Sequence, residues 1–311
     1  MKSEDRNEKQ KFLLHWLNSF PTVPSGVKAQ IFKKVDLKKL YEVKRKNGLT
    51  ELLRASGWEE TRTDIVFAIF KDVLSEEIKE NAERSYMLSK KKGIRIVTIT
   101  DEGYPKRLER IFDPPPALYV LGTTPEETVF SAGIVGSRGC TENGKTRAEH
   151  FGKVLSEAGI QIISGMARGI DNAAQTAAIS EKGRSFAVLG CGCDMAYPES
   201  SRALYETLLK DGGVISEYPP GTLPVPGNFP KRNRIIAGLS DALVVIEAAE
   251  RSGSLITAKL SFEYGKDVFA VPGRPEDRCS AGCNRLIADS LAGLVTGPEE
   301  IILSFSSKIY V

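Results

Sequence analysis

From residue 93 onward, short β-branched runs alternate with stretches of helical length, and this alternation limits the folds open to the chain. The pattern predicts strands near residues 94–99, 117–121, 133–135, 160–163, 186–189, 214–216, 243–246 and 268–271. Helices are predicted between most of the later strands, at 145–158, 170–182, 199–211, 231–239 and 254–265. Strands joined by helices run parallel, with helices on both faces of the sheet. We therefore expect an α/β fold with an extended Rossmann-like, doubly wound, mostly parallel sheet.

Residues 1–92 have a different pattern, because their apolar positions recur at intervals of three and four. Examples are Phe12, Leu13, Trp16 and Leu17, followed by Ile65, Phe67, Ala68 and Ile69. This spacing predicts a small all-helical domain that precedes a second domain at 93–305. Basic clusters at 38–39, 44–46 and 90–92 are expected to be solvated helix faces, with an accessory DNA contact as the alternative.

Composition excludes several classes of protein. No run in the 311 residues approaches the roughly 20 apolar residues that cross a bilayer, and the polar start is no secretory signal, so we expect a cytoplasmic protein without a membrane partner. The net charge of +3 is small, so any DNA site must be a local cluster of Arg and Lys. Five cysteines favour reduced thiols, and two histidines, His15 and His150, leave little material for His-based catalysis or metal ligation.

Three glycine-rich loops each follow a predicted strand and open a helix, at 136–138, 164–171 and 247–255. Such loops gather at the carboxyl edge of a parallel sheet, and glycine lets backbone amides approach a ligand closely. Amides at a helix start bind anions, so the loops predict a phosphate-binding crevice. Asp171 begins a predicted helix and is expected to cap free amides, while Glu247 is expected to orient a nearby arginine.

A fourth segment, 229–240, places Lys231, Arg232 and Arg234 at a predicted helix start beside Phe229. Cations oppose the positive end of a helix, so this cluster favours an anion between them. An aromatic ring next to guanidinium groups also gives an unstacked base a platform. The segment therefore predicts a nucleic-acid ligand, with ion pairs to surface acids as the structural alternative.

Five segments in order and spacing resemble the signature set of the DNA-processing protein A (DprA/Smf) family. They are GSR at 136–138, SGMARGIDNAA at 164–174, YPPGTLPVPGNFPKRNRIIAGLS at 218–240, VVIEAAERSGSLITA at 244–258 and VFAVPG at 268–273. The resemblance implies a homodimer that binds single-stranded DNA, protects the incoming strand during natural transformation and helps to load the RecA recombinase. It implies no enzyme activity and no cofactor. A C-terminal winged helix, found in many relatives, is not expected, because the chain ends soon after the last predicted helix.

The family also implies which residues contact DNA. Its GSR arginine and its basic FPxRN segment bind DNA, and these correspond here to Arg138, Lys231, Arg232 and Asn233. By their position in the loops, we add Ser137, Ser164, Gly165, Arg168 and Phe229 to the predicted pocket for phosphate and base. No catalytic or metal-binding residue is predicted. The family's small helical, SAM-like domain corresponds to residues 1–92 in length and helicity.

Two enzymatic alternatives stay open. Gly139 to Thr146 satisfies the G-x-x-x-x-G-K-[ST] pattern of a P-loop ATPase, although the preceding strand is predicted to end too early, at Val135. The Lonely Guy nucleotide phosphoribohydrolases have a related sheet, but their PGGxGT motif and following glutamate are replaced here by residues 252–257. A four-thiolate zinc site is a further alternative to buried hydrophobes for Cys191, Cys193, Cys279 and Cys283, whose spacings differ from the usual zinc motifs.

Overall fold

The computed structural model describes residues 3–57, 63–180 and 182–306. The N-terminal region contains six helices among these residues: α1 Ser3–Asn18, α2 Ser25–Lys34, α3 Leu37–Tyr41, α4 Lys46–Ala55, α5 Thr63–Leu74 and α6 Glu76–Lys91. Their core is formed by apolar side chains at helical spacing, including Trp16, Leu40 and Ile69. Phe67 departs from the predicted apolar stripe and is 59% exposed, because it lies about half a turn from Ile65 and Ile69 on α5.

The rest of the chain is built on a nine-stranded sheet within the described residues. Its strands are β1 Arg95–Thr98, β2 Ala117–Gly122, β3 Ser131–Val135, β4 Gln161–Ser164, β5 Ser185–Leu189, β6 Gly213–Ser216, β7 Ala242–Val245, β8 Asp267–Ala270 and β9 Gly293–Leu294. Every predicted strand is present. The short β9 was not predicted, because two residues carry no periodicity.

The strand order is β1-β2-β6-β5-β4-β3-β7-β8-β9. All pairs from β6 to β9 are parallel, whereas β1 and β2 are antiparallel additions at one edge. The mostly parallel sheet is thus confirmed. The chain leaves β3 toward β4 on one side and returns from β6 to β7 on the other side. Divergent connections of this kind leave a crevice at the carboxyl ends of the two central strands.

Helices cover both faces of the sheet. They are α7 Lys106–Glu109, α8 Glu142–Glu157, α9 Ile170–Ser180, α10 Arg202–Asp211, α11 Asn228–Leu239, α12 Ser254–Glu263, α13 Ala281–Ala288 and α14 Pro298–Ser306. Alternate strand residues point to opposite faces, so Ile134 packs with α8 and α9 whereas Val135 packs with α11 and α12. The sheet is therefore doubly wound. None of the described helices is long and apolar enough to cross a membrane.

The N-terminal helices and the sheet share one hydrophobic cluster, which includes Trp16 of α1 and Tyr119 of β2. A polar link accompanies it, because His15 Nδ1 lies 2.8 Å from the Tyr119 hydroxyl and His15 Nε2 lies 2.7 Å from Ser85 Oγ. Burial lowers the pKa of His15 to about 4. The helical region therefore packs on the sheet, and a domain boundary near residue 92 stays a prediction.

Candidate nucleic-acid interface

A cleft of about 640 Å³ lies at the carboxyl ends of β3 and β7. The loops after β3 and β7 form one side, and the start of α11 forms the other. Its lining includes Gly136, Ser137, Arg138, Gly139, Ala167, Asp171, Tyr197, Pro224, Pro226, Phe229, Arg232, Asn233 and residues 251–254. The loops grouped by the sequence analysis meet here, at the topological switch point where α/β sheets bind their ligands.

The loop after β3 is held by its neighbours and still presents free backbone donors. The Ser137 amide donates to the Glu247 carbonyl at 2.7 Å, which ties this loop to the end of β7. The Ile170 amide donates to the Ser137 carbonyl at 3.3 Å. Within the described residues, the amides of Arg138 and Gly139 donate to no other group. Such amides at the mouth of a cleft can bind an anion.

Two aromatic rings form the opposite wall of the cleft. The ring centroids of Tyr197 and Phe229 are 5.6 Å apart at an interplanar angle of 32°. The guanidinium carbon of Arg138 lies 5.4 Å from the Phe229 centroid. Gly190 permits this position of Phe229, because a Cβ there would lie 2.9 Å from the ring. Aromatic faces beside a cation offer a stacking surface for a base and a charge for its phosphate.

Arg232 lines the cleft but has only 4% of its surface exposed. Its Nη1 donates to the Gly165 carbonyl at 3.1 Å and also to the Val188 carbonyl, so it joins the ends of β4 and β5. Burial lowers the pKa of Arg232 to about 10, and the charge of Asp171 opposes that shift. A Cβ at Gly165 would lie 2.6 Å from Nη2, so glycine makes room for this arginine. Arg232 therefore holds the cleft together from inside.

Asp171 lies in the first turn of α9, but among the described residues its carboxylate accepts amides of the loop before the helix and does not cap the helix as expected. Its Oδ2 accepts the amides of Gly165 at 3.1 Å and Ala167 at 3.4 Å. Burial raises the pKa of Asp171, although Arg232 and these amides favour its charged form. Ser164 is fully buried and its hydroxyl donates to the Ile134 carbonyl at 2.6 Å. The structure thus places Ser164 and the Gly165 amide in the internal framework, in contrast to the predicted direct contact with phosphate.

Two other predicted residues lie away from the cleft. Lys231 is exposed and lines a different cavity, because neighbouring residues on a helix point about 100° apart. Arg168 is exposed on the loop after β4 and does not line the cleft. Asn233 does line it, and its Nδ2 donates to the Gly253 carbonyl at 3.3 Å. The structure therefore brings Ser137, Arg138, Phe229, Arg232 and Asn233 together and leaves Arg168 and Lys231 outside.

The cleft also contains residues that the sequence analysis did not select. Arg251 is exposed on the loop after β7 and lines the cleft, and its position in a glycine-rich loop is the sequence signal that could have identified it. Tyr197 is 39% exposed on the loop after β5. No local pattern marks Tyr197, because its role depends on a ring that comes from α11.

Glu247 anchors the loop before α8 and does not orient an arginine as expected. Its carboxylate accepts the Thr141 amide at 3.0 Å and the Thr141 hydroxyl at 2.6 Å. The Thr141 hydroxyl in turn accepts the Gly144 amide at 3.0 Å and caps α8. The buried Glu247 carboxylate, which contacts this loop, would repel a phosphate bound at the same position. The geometry of residues 139–146 therefore disfavours the P-loop alternative.

The cysteines do not form one group. Cys191 and Cys193 are buried in the cluster shared with the N-terminal helices, whereas Cys283 belongs to the cluster beneath α11 and α12. Burial raises the pKa of the Cys283 thiol to about 12, and its sulfur lies 3.6 Å from the Val245 carbonyl. In the part of the chain that the structure describes, no three His, Cys, Asp or Glu side chains are placed to hold a metal ion.

The fold and the cleft define a Rossmann-like protein with an aromatic and cationic ligand site at its switch point. Within that class, residues 95–306 match the family model of DNA recombination-mediator protein A, and the chain belongs to this family.

Curated relatives and solved structures agree with this membership. The chain is 40% identical to protein Smf from Synechocystis, over 70% of this chain and 55% of that protein. It is 41% identical to DNA processing protein DprA from Streptococcus pneumoniae, over 67% of this chain and 73% of that protein. The structure of DprA from Streptococcus pneumoniae covers 88% of this chain and 96% of its own, with 34% identity and a TM-score of 0.66. A structure of DprA from Helicobacter pylori, described for its single-stranded DNA binding mode, aligns with 69% of this chain and 97% of its own chain. Its sequence identity is 28% and its TM-score is 0.62.

Proposed function

We propose that this chain binds single-stranded DNA in the cleft between the ends of β3 and β7. The observation that carries the proposal is the pair of rings, Tyr197 and Phe229, with the Arg138 guanidinium over the second ring. Unpaired bases can stack on such rings, whereas a duplex keeps its bases paired and covered. The single-strand binding of the related Helicobacter pylori protein supports the same ligand.

The residues of the cleft divide into two roles. Arg138, Arg251 and the free amides of Arg138 and Gly139 are positioned to bind phosphates, while Phe229 and Tyr197 receive a base. Ser137 and Asn233 hold the loops at the rim through hydrogen bonds to Glu247 and Gly253. Ser164, Gly165 and Arg232 support these residues from beneath. Arg168, exposed on the loop after β4 and outside the cleft, is proposed to contact the DNA backbone where the strand leaves the cleft.

Charge reversal at Arg138 tests the site. We expect Arg138→Glu to weaken binding of a labelled single strand by at least about tenfold in fluorescence anisotropy. The log-log salt dependence should flatten by about 0.7 for each phosphate contact that is lost. Lys210→Glu, on the exposed face of α10, is the matched control. Unchanged affinity of Arg138→Glu in moderate salt would place the DNA elsewhere, and equal affinity for a duplex of the same sequence would contradict the role of unpaired bases.

We propose further that the protein is a carrier without enzyme activity, which protects incoming DNA in natural transformation and helps to load RecA. The description of its family as recombination mediators supports a recombinase partner. Two linked sites hold one strand more firmly than one site, which favours a homodimer. Light scattering should then give twice the mass of the chain, and the protein should speed RecA assembly on covered single strands. Release of phosphate from ATP, or of adenine from AMP, would contradict a carrier without catalysis.

The domain division is part of the same proposal. Residues 1–92 form a small helical, SAM-like domain, and residues 93–305 form the extended Rossmann-like domain that holds the cleft. Among the described residues, the cleft is lined only by Val135 and residues that follow it, which supports assigning DNA binding to the second domain. A fragment that begins at residue 93 and retains the affinity of the full chain for short single strands would support this division.

A further inference from the structure

A second cavity, of about 910 Å³, lies between the N-terminal helices and the α/β region. Residues 18–25 and Lys28 line one side, and α6 contributes Arg84 and its neighbours. The opposite side consists of residues 217–222, Val225 and the outer face of α11. The cavity therefore lies next to the helix that also forms the wall of the DNA cleft.

One segment separates the two sites. Pro224 and Pro226 line the cleft, whereas Val225 between them lines the second cavity. On α11, Arg232 faces the cleft and Lys231 faces the cavity. Residues 223–231 therefore form a ridge between the two sites, on which Leu223 and Val225 are 68% and 47% exposed. A strand that leaves the cleft across the ridge would therefore enter the second cavity.

The charge of this cavity favours an anion. Among the described lining residues, four are cations and two are carboxylates: Lys28, Arg84, Lys231, Arg234, Asp113 and Glu217. Arg234 binds both carboxylates, with Nη2 at 2.6 Å from Glu217 and Nε at 3.3 Å from Asp113. Burial opposes ionisation of Glu217, but Arg234 outweighs it and holds the pKa of that carboxyl below its ordinary value. The lining residues alone are therefore positive by two charges, although Arg84 also lies 3.9 Å from the exposed Glu80 on α6.

Lys28 and Lys231 are the central cations of the cavity. Lys28 is only 7% exposed, and its Nζ donates to the Asn18 carbonyl at 2.9 Å. An ammonium has three donors, so Lys28 keeps capacity for a further acceptor. The charge of Lys231 opposes that of Lys28, but the carboxylates of Glu217, Asp72 and Asp113 each favour the Lys28 charge more strongly. Lys231 itself has no carboxylate within ion-pair distance among the described residues, so it is the cation that would gain most from a bound anion.

We propose that this cavity is a second subsite for the same single strand. It would take a phosphate that follows the nucleotides in the cleft, with Lys28 and Lys231 as its ligands and Arg84 at the rim. The proposal rests on the function proposed above, because the strand reaches the cavity from the cleft. A continuing strand fits better than a separate ligand, since the shared ridge joins the two sites and Lys231 is exposed on it.

The test compares oligothymidylates of about 4 and about 16 nucleotides, which span the usual site sizes of single-strand-binding folds. Lys231→Gln and Arg84→Gln remove exposed charges, and Lys210→Gln on α10 is the matched control. We expect each cavity variant to weaken binding of the long strand by about fivefold to tenfold and to flatten its salt dependence by about 0.7. Binding of the short strand should not change, and Lys210→Gln should bind both strands like the wild type. Melting temperatures equal to that of the wild type will show that the variants fold.

Three outcomes overturn the second subsite. Lys231→Gln with unchanged affinity for the long strand would show that no phosphate reaches the cavity. Equal loss for both lengths would place Lys231 in the first cleft. Binding of thymidine monophosphate that depends on Lys231, without any effect on the long strand, would identify a mononucleotide site. Failure of the function itself is recognised separately, because Arg138→Glu would then leave single-strand binding intact.

Discussion

Replacing Arg232 by Met should destabilise the fold more than any other substitution of a cation in the cleft. The guanidinium is buried and donates to the carbonyls of Gly165 and Val188, at the ends of β4 and β5. It is also the largest opposite charge acting on the buried carboxylate of Asp171. Methionine retains much of the volume but neither the donors nor the charge. Two carbonyls thus lose this donor, and the Asp171 carboxylate loses a neighbouring positive charge while it keeps the amides of Gly165 and Ala167.

The expected magnitude follows from those three losses. A buried carbonyl left without its donor costs about 1–3 kcal/mol, and the lost attraction between Arg232 and the ionised Asp171 adds to that cost. These contributions overlap, so we expect a loss of about 4 kcal/mol in the free energy of unfolding. At roughly 2–4 °C per kcal/mol for a domain of this size, the melting temperature should fall by about 10 °C.

The loss should depend on pH in a defined direction. Burial already raises the folded-state pKa of Asp171, and removing Arg232 should raise it further. A carboxyl with a raised pKa opposes folding while it is ionised, and this penalty disappears as the pH falls through that pKa. The deficit of Arg232→Met should therefore be largest at neutral pH and shrink on acidification.

Urea unfolding at pH 7 and pH 5 measures both quantities. Arg138→Met, at an exposed residue without an ion pair among the described residues, is the matched control and should change stability by less than about 0.5 kcal/mol. Asp171→Asn combined with Arg232→Met should recover part of the loss, since the uncompensated charge is gone. A deficit below about 1 kcal/mol, or one that stays constant with pH in both backgrounds, would refute the structural role of Arg232.

Two further predictions concern Tyr197 and His15. Tyr197→Ala should weaken single-strand binding by about tenfold without changing its salt dependence, because a stacked base contributes about 1–3 kcal/mol and no charge is lost. Fluorescence anisotropy measures this change, and an equal loss of affinity in Tyr197→Phe would argue against stacking. The pKa of His15 is lowered to about 4, so the unfolded chain binds a proton between pH 6.5 and 4 that the folded chain excludes, and stability should fall by about 3 kcal/mol across that window. Urea unfolding of His15→Gln should lack this component, whereas His150→Gln, at an exposed residue, should retain it; equal slopes in both variants would contradict burial of His15 as the cause.

The sheet could be predicted because its strands are read locally. Fully buried parallel strands are continuous apolar runs, as at 186–189 and 243–246, and glycine-rich loops follow them. Topology then brings those loops to one edge, whatever the details of each side chain. The different roles of the basic residues could not be predicted from the local sequence in this way. The burial of Arg232 depends on Gly165 and Val188, which only the folded sheet places beside it.

The start of α11 shows why the direction of each side chain was missed. The sequence pattern predicts a helix from residue 231, but α11 begins at Asn228, because Pro230 is tolerated within a first turn that needs no amide donor. Successive residues of the helix point about 100° apart, so neighbouring cations face different surroundings. Lys231 then faces the second cavity, Arg232 enters the core beneath the cleft, and Arg234 binds Glu217 at 2.6 Å.

Lys231, Arg232 and Arg234 look equivalent in the sequence, but their substitution therefore changes different measured properties. Loss of Arg232 or Arg234 acts on folding, since both are buried and hydrogen-bonded, and their effect on DNA follows from the cleft they support. Loss of Lys231 removes an exposed charge and leaves the framework intact. A variant that neutralises all three cations would combine these effects. A loss of DNA binding caused by unfolding would then be mistaken for the loss of a DNA contact. DNA binding and unfolding must be measured on each substitution separately. Neighbouring residues of α11 point in different directions, so the three cations affect different properties although they are adjacent in the sequence.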